Sequence, residues 1–537
     1  MATRVTRRDL LNGLALGAGG VLLAPMELLA KSATAVPGPG NAYAHYPPTL
    51  TGMRGSHEGS FEVAHALAWR GEKPTQYQPL QEHYDLVVVG AGMSGLAAAW
   101  FYRKKIGPDA RVLLLDNHDD FGGHAKRNEF HHEGRMLLSL AGAQNLENPG
   151  NYSDAAAGLM ADVGIDQDFV EAMGQNTPAE FALGGMLDAE VGMALAGPDG
   201  HVTVGGNWVK YVLGEDGYRE GVRALPIPVE EQEKLIAFFG GDRDFLDGLS
   251  LSEKWDYANS VSYNQFLVER VGLAEETLPI LNVMVRHLAG FTGWNLTVLE
   301  ALGSGASGIQ AMGWLGRMAA SLGLNFIDSL VEVRMFPDGN ASVARLLVHK
   351  LIPGVAPGMK GAEDVAAARF DYGALDRENH PTRLRLNSTV VGAREVDGKR
   401  VQVDYVQQGK PLRITADHCV MACYNNLIPH LSPEMPEPQK EGLRYGVKTP
   451  FVYANVLLDN GRAFSKLGAT MYQCPNDPYQ WVSTGPTMTT GGYEPPRGPD
   501  DPMVVFMMSS PSQRPRVSRQ GAMCCGSAAT KSTQRPS

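Results

Sequence analysis

A chain of 537 residues is too long to close over one hydrophobic core, so at least two domains are expected. Hydrophobic content of 44% and charged content of 20% are those of an ordinary globular protein. The first 35 residues carry a net charge of +2 and residues 512–537 carry +5, so the −11 of the whole chain leaves −18 on residues 36–511, which argues against nucleic acid as a partner and for cationic ligands.

In chain order, MATRVTRRDLLNG sets Arg7 and Arg8 ahead of Leu10 and Leu11, a modestly apolar Gly-rich run follows, and Ala33-Thr34-Ala35 offers a small-residue cleavage point. Asn12, Gly13, Pro25 and Glu27 interrupt the run too often for a stable membrane span. The expectation over residues 1–35 is a twin-arginine signal read by the twin-arginine export machinery, with the mature protein beginning near Val36 in a bacterial periplasm. Residues 36–83 form an N-terminal arm: a Pro/Gly linker from Val36 to Gly40, a loop from Thr51, and a short helix beginning near Ser60. His57 and His65 sit near one end of that helix and are candidate ligands of a metal or a haem iron.

The stretch from Tyr84 carries the strongest signal. Leu86 to Val89 is a short apolar run suited to a strand buried on both faces. It is followed by Gly90-Ala91-Gly92-Met93-Ser94-Gly95, where Gly90 permits the turn, Gly92 admits a pyrophosphate to the backbone, and Gly95 brings the next helix close to the sheet. That helix runs through Leu96 to Lys105, and its N-terminal amides offer an anion site. A second buried strand, Val112 to Leu115, ends in Asp116, placed 21 residues past Gly95 to accept hydrogen bonds from a ribose diol. The order strand, fingerprint, helix, strand, acid predicts a dinucleotide-binding βαβ unit.

After Asp116 and Asn117 come two adjacent glycines, Gly122 and Gly123, then His124, Lys126 and Arg127. Gly134 to Ser153 is read as a strand and a polar small-residue loop. Residues 153–330 show apolar spacing of three and four in Gln232 to Phe239, Tyr263 to Val271 and Ile309 to Leu322, which predicts a mostly helical insert. Trp294 and Trp314 are read as core or channel lining, and Glu300 and Asp328 are among acids available to a cationic ligand. FPDGN, from Phe336, is a turn entering a helix. A hairpin at Asp397-Gly398, a turn at Gln408-Gly409 and a buried strand from Cys419 complete the pattern. Of the five cysteines, Cys524 and Cys525 lie in the last 26 residues, and the three within residues 36–511, Cys419, Cys423 and Cys474, are an odd count without a CxxC spacing, which gives no disulfide framework or zinc site and leaves them as small core residues. Residues 512–537 are basic, aperiodic and read as a disordered, atypical tail, as a shifted frame or truncation near Ser512 would leave.

These segments together resemble the flavin amine oxidase superfamily, and within it the bacterial spermidine dehydrogenases. The resemblance rests on the twin-arginine signal, GAGMSG, LLLDNHDDFGGHAKRNEF, AGAQNLENP, FPDGNA and DHCVMACYNN, and spans about residues 1–510. It implies an α/β fold: a Rossmann-like FAD-binding domain of glutathione-reductase type, discontinuous over residues 84–152 and 331–432, with an inserted, largely helical α+β substrate domain over 153–330 and a second substrate segment starting in 433–511. It implies FAD, with the pyrophosphate turn at Gly122 and Gly123, where the family's arginine is replaced by His124 and the phosphate contact falls to backbone, His124 or Arg127. It places Ala141, Gly142, Ala143 and Gln144 along the isoalloxazine and the backbone of Val390 against the adenine. The activity implied is oxidation of a polyamine beside a secondary amine, with electrons passed to a quinone or cytochrome-like acceptor and, in some members, through haem b. The last Gly-Asp segment of the family has no counterpart after Ser510. Two alternatives stay open: a non-catalytic truncated remnant, and a flavoprotein acting on another amine or a polyene.

Overall fold

The computed structural model describes residues 45–175, 190–197, 200–314, 316, 333–446, 448–485 and 488–511. The signal-like segment, the Pro/Gly linker, Asp328 and the basic tail lie outside the described residues. Two compact units divide the chain: the first comprises residues 1–123, 347–357 and 369–446, the second residues 124–346, 358–368 and 447–537.

The first unit is built on a six-stranded sheet. Its strands are β1 (Gln78–Val89), β2 (Val112–Leu115), β3 (Thr382–Arg385), β4 (Ser388–Val396), β5 (Arg400–Gln407) and β6 (Lys410–Met421), in spatial order β4-β5-β6-β1-β2-β3. β6, β1, β2 and β3 run parallel, in register Val420↔Val88↔Leu114↔Leu384. The apolar run Leu86 to Val89 is fully buried, as a strand flanked on both sides requires. β4, β5 and β6 form an antiparallel meander. Its turns place Asp397 and Gly398 at φ 58° and 64°, and Gln408 and Gly409 at 49° and 75°. Both are left-handed pairs whose twist matches the flanking strands.

Helix α1 (Glu62–Arg70) packs Leu67 into the core of this unit, and α2 (Met93–Ile106) follows β1. The buried strand expected from Cys419 is the end of β6, but it is not buried: β5 pairs with β6 only through Ala416, and His418 and Val420 beyond it are exposed. Cys419 and Cys423 are half-buried, Cys474 is buried, and burial pushes their thiols up to about 12, 11 and 12.

The second unit holds a helical layer and a six-stranded sheet. Helices Val229–Gly240 and Tyr263–Phe266, the latter continued by a π-turn over Leu267–Val271, match the predicted periodicity. The insert is less helical than its spacing implied. Val191–Gly197 and Gly200–Val204 form a hairpin, and the first of these strands joins Met471–Gln473, Trp481–Thr484, Met503–Ser509 and Val452–Leu458 in one sheet. VGMALAG lacks the branched residues that announce a strand, and only its neighbours in the sheet make it one. Trp294 packs against the helical core, whereas Trp314 is exposed and is not a core residue. Glu300 closes a capping box with Thr297, so its carboxylate holds a helix end rather than a ligand.

In the first unit a close backbone approach lies where α2 crosses the end of β1. A Cβ on Gly95 would sit 1.9 Å from the Gly90 carbonyl oxygen, so Gly95→Ala is expected to cost about 3 kcal/mol or more of stability in urea unfolding. Gly158, in the exposed interior of helix Asp154–Asp162 with nothing near its missing Cβ, is the control: Gly158→Ala should gain roughly 0.5–1 kcal/mol.

Candidate functional site

Gly90 leaves β1 at φ 104°, its amide donating to Leu115 O at 2.7 Å. A Cβ there would lie 2.8 Å from Ala422 O, so three chain segments meet at this point only because the residue is glycine. Gly92 caps α2 without a side-chain bond, and the first turn contains no acid. The amides of Met93, Ser94 and Gly95 therefore point from the positive end of a 14-residue helix with no carboxylate of its own to offset them. The second glycine pair lies against the first. Gly122 donates its amide to Ala91 O at 2.9 Å, Gly92 and Gly122 form a parallel bridge, and a Cβ on Gly123 would be 3.1 Å from the Gly92 Cα. Gly90, Ala91, Gly92, Met93, Ser94, Gly95, Gly122 and Gly123 are thus one bare backbone cradle, and their donor set fits a pyrophosphate.

Asp116 stands beside it. Its carboxylate accepts the Ala91 amide at 2.7 Å on one oxygen and the His118 amide at 2.9 Å on the other. An ionised carboxylate is an acceptor of the kind a ribose diol requires. The backbone of β4 is tied to the same loop: Ser388 N donates to Asp116 O at 2.7 Å and Asn387 N to His118 O at 2.8 Å. Val390, two residues further on, is buried at a register shift between Val390 and Gly392.

Asn117 and Asp119 connect the loop to the N-terminal arm. The Asn117 amide donates to Ser60 O, and Asp119 bonds Arg54 at 2.6 Å and His57 Nε2 at 3.1 Å. Burial alone raises the Asp119 carboxyl, but the bonds from His57 and Arg54 outweigh it and hold it well below the ordinary carboxylate range. Sequence reasoning missed Arg54 and Asp119, because nothing local links residues 65 apart. The haem expectation finds no support in this geometry. Both ring nitrogens of His57 are engaged, Nε2 at Asp119 and Nδ1 at Glu58 O at 2.9 Å, while His65 stacks on Trp69 at 3.9 Å. Among the described residues no cluster of three metal-ligating side chains occurs. None of the described helices is long and apolar enough to cross a membrane.

The remaining expected residues belong to the second unit. Arg127 is not a phosphate ligand here. Its guanidinium is buried, with Nε on Glu129 at 2.8 Å, Nη1 on Asp338 at 2.7 Å and Nη2 on Ala366 O at 2.7 Å. Asp338, from the FPDGN turn, also accepts the Ser342 hydroxyl. The same turn pins the loop of Ala141, Gly142, Ala143 and Gln144: Asn340 N donates to Ala143 O at 3.0 Å, Gly142 N to His124 O at 3.1 Å, and Gln144 Nε2 to Ala141 O at 3.0 Å. Tyr453 and Asn455 stand against this loop, Asn455 accepting from Ser139 Oγ and donating to Leu140 O.

Residues 88–163 match the model of the NAD(P)-binding Rossmann-like domain. The first unit has a Rossmann-like fold. Among solved structures the chain is similar to wild-type putrescine oxidase bound to putrescine, at 15% identity over 81% of this chain and 77% of that one with a TM-score of 0.44. It is also similar to cyclohexylamine oxidase from Brevibacterium oxydans IH-35A, at 14% identity over 79% and 75% with a TM-score of 0.43. No curated protein matches it.

Arg127→Met is expected to cost about 3–5 kcal/mol, because it strands two buried carboxylates, and to leave the dinucleotide affinity of the folded protein unchanged. Affinity lost without stability would return Arg127 to the phosphate. For Asp119 the folded value is depressed, so its contribution is present above the unfolded value near ~4 and fades as pH falls below it. Proteolysis within residues 50–60 should therefore accelerate between about pH 5 and about pH 3, and Asp119→Asn should abolish that dependence.

Proposed function

We propose that the protein is an FAD-dependent oxidoreductase that oxidises an amine at the carbon next to its nitrogen, with spermidine-like polyamines as the substrate class. The observation that carries the reading is the uncapped, acid-free N-terminus of α2 laid against the Gly122-Gly123 turn beside the Asp116 carboxylate. Two glycine turns on one cradle favour FAD over a nicotinamide cofactor, since the simple nicotinamide dehydrogenases lack the second turn. The amine assignment draws on the motif resemblance and on the −18 charge of residues 36–511, which concentrates cations near the surface.

When bound, FAD supplies a two-electron acceptor for the hydride leaving the substrate carbon, and water hydrolyses the resulting imine. The amides of Met93, Ser94 and Gly95 offset pyrophosphate charge, and Asp116 orients the ribose. The loop Ala141 to Gln144 is held in the second unit by backbone bonds to Asn340 and His124. The substrate nitrogen beside the reacting carbon must be neutral, and the remaining ammonium groups of a polyamine need anionic partners. The reading includes export in the folded state to the periplasm and a quinone or cytochrome-like electron acceptor.

Purified protein is expected to be yellow and to lose its flavin absorbance anaerobically on addition of spermidine. Protein that neither retains nor takes up FAD overturns the reading. Asp116→Ala should weaken FAD by roughly 1–3 kcal/mol, measured from the recovery of free-flavin fluorescence.

A further inference from the structure

The N-terminal arm is held to the dinucleotide unit by more than packing. Tyr46 lies under the Arg369 guanidinium at 3.9 Å and edge-on to Tyr372 at 5.7 Å, which fixes the start of the arm. Further along, Arg54 and His57 converge on Asp119, the His57 and His118 rings meet edge-on at 5.3 Å, and Ser60 O receives the Asn117 amide. The segment between is itself a built turn. Ser60 donates its backbone amide and its hydroxyl to His57 O, and Glu62 accepts the amides of Gly59 and Phe61. The contacts of Arg54, His57 and Ser60 with the loop all fall on residues 117–119, immediately after the carboxylate read as the ribose ligand.

Resting on the dinucleotide reading above, we propose that Arg54, His57 and Ser60 are positioning residues for that site: the arm is a strap that fixes the Asp116–Asp119 loop in its nucleotide-competent shape. The physical reason is preorganisation. The loop from Asp116 to Phe121, between β2 and the Gly122-Gly123 turn, has many conformations, and binding a ribose through Asp116 requires one of them. Holding Asn117 and Asp119 from outside removes that ordering cost before the ligand arrives. Linkage makes the effect reciprocal. If closure of the strap tightens the dinucleotide by some factor, the dinucleotide must favour the closed strap by the same factor.

The chain contains its own reporter. The Arg54–Gly55 peptide is a trypsin site between exposed Met53 and exposed Gly55 and Ser56, and the Arg54 side chain is held at Asp119. In the full chain, FAD is expected to slow cleavage after Arg54 about tenfold, read by mass spectrometry of the fragments. Arg54→Met and Asp119→Asn should each weaken FAD by a similar factor, the double variant should be no weaker than either, and Arg54→Lys should recover part of the loss. Cleavage at the same rate with and without FAD, or wild-type affinity in Arg54→Met, overturns the proposal. Should Arg54→Met fail to fold, the proteolysis of the wild-type chain decides alone. A wild-type chain with no affinity for FAD overturns the dinucleotide reading instead, and does so before any variant is made.

Discussion

The first unit depends on three places where backbone touches backbone with no side chain between. Gly95 sits on the Gly90 carbonyl, Gly90 against Ala422, and Gly123 on Gly92. The first approach lets α2 begin directly over the end of β1, so its N-terminal amides lie beside the Gly122-Gly123 turn. The second lets the end of β6 close the same point from the other side, and the third brings the turn after β2 alongside. Each glycine costs conformational entropy in the unfolded chain, and the return is a cradle of N–H donors that no side chain obstructs. A methyl group at any of the three would push the segments apart and blunt the electrostatics with them.

Around that cradle the charged residues divide into supports and candidates for contact. Asp116 and Asp119 are three residues apart in one loop and do different work. Asp116 buttresses the fingerprint through Ala91, while Asp119 is neutralised by the arm. In the second unit the same division appears in Arg127, whose buried guanidinium donates to Glu129, Asp338, Ala366 O and Met136 Sδ. The FPDGN turn that supplies Asp338 also supplies Asn340 to the loop at Ala143, so one turn organises both a buried ion network and the backbone expected to run along a flavin. Gly339 makes this possible. It adopts φ 62°, and a Cβ there would lie 2.8 Å from Ala143 O.

Signals confined to a few consecutive residues were legible in advance. The β1 to β2 unit, the left-handed turns at Asp397-Gly398 and Gln408-Gly409, and the helix entered from FPDGN all rest on backbone preferences of the residues themselves. Readings that depended on what lies across the fold were not. Arg127 looked like a phosphate contact, and it is buried in an ion network of its own. His57 and His65 looked like a pair of ligands, and each already has partners of its own. The strand at Val191–Gly197 was hidden in a region of helical spacing, because a glycine- and alanine-rich strand declares itself only through the Met471–Gln473 strand beside it.

By itself, then, the sequence determined where the chain turns, which helix end is bare and which carboxylate follows the second strand, since dihedral preference and apolar period act between near neighbours. Only the tertiary structure decided which charges are available to a ligand. A guanidinium or imidazole is neutralised by whatever the fold places within about 3 Å, and for Arg54, Arg127 and His57 that partner lies 65, 211 and 62 residues away along the chain.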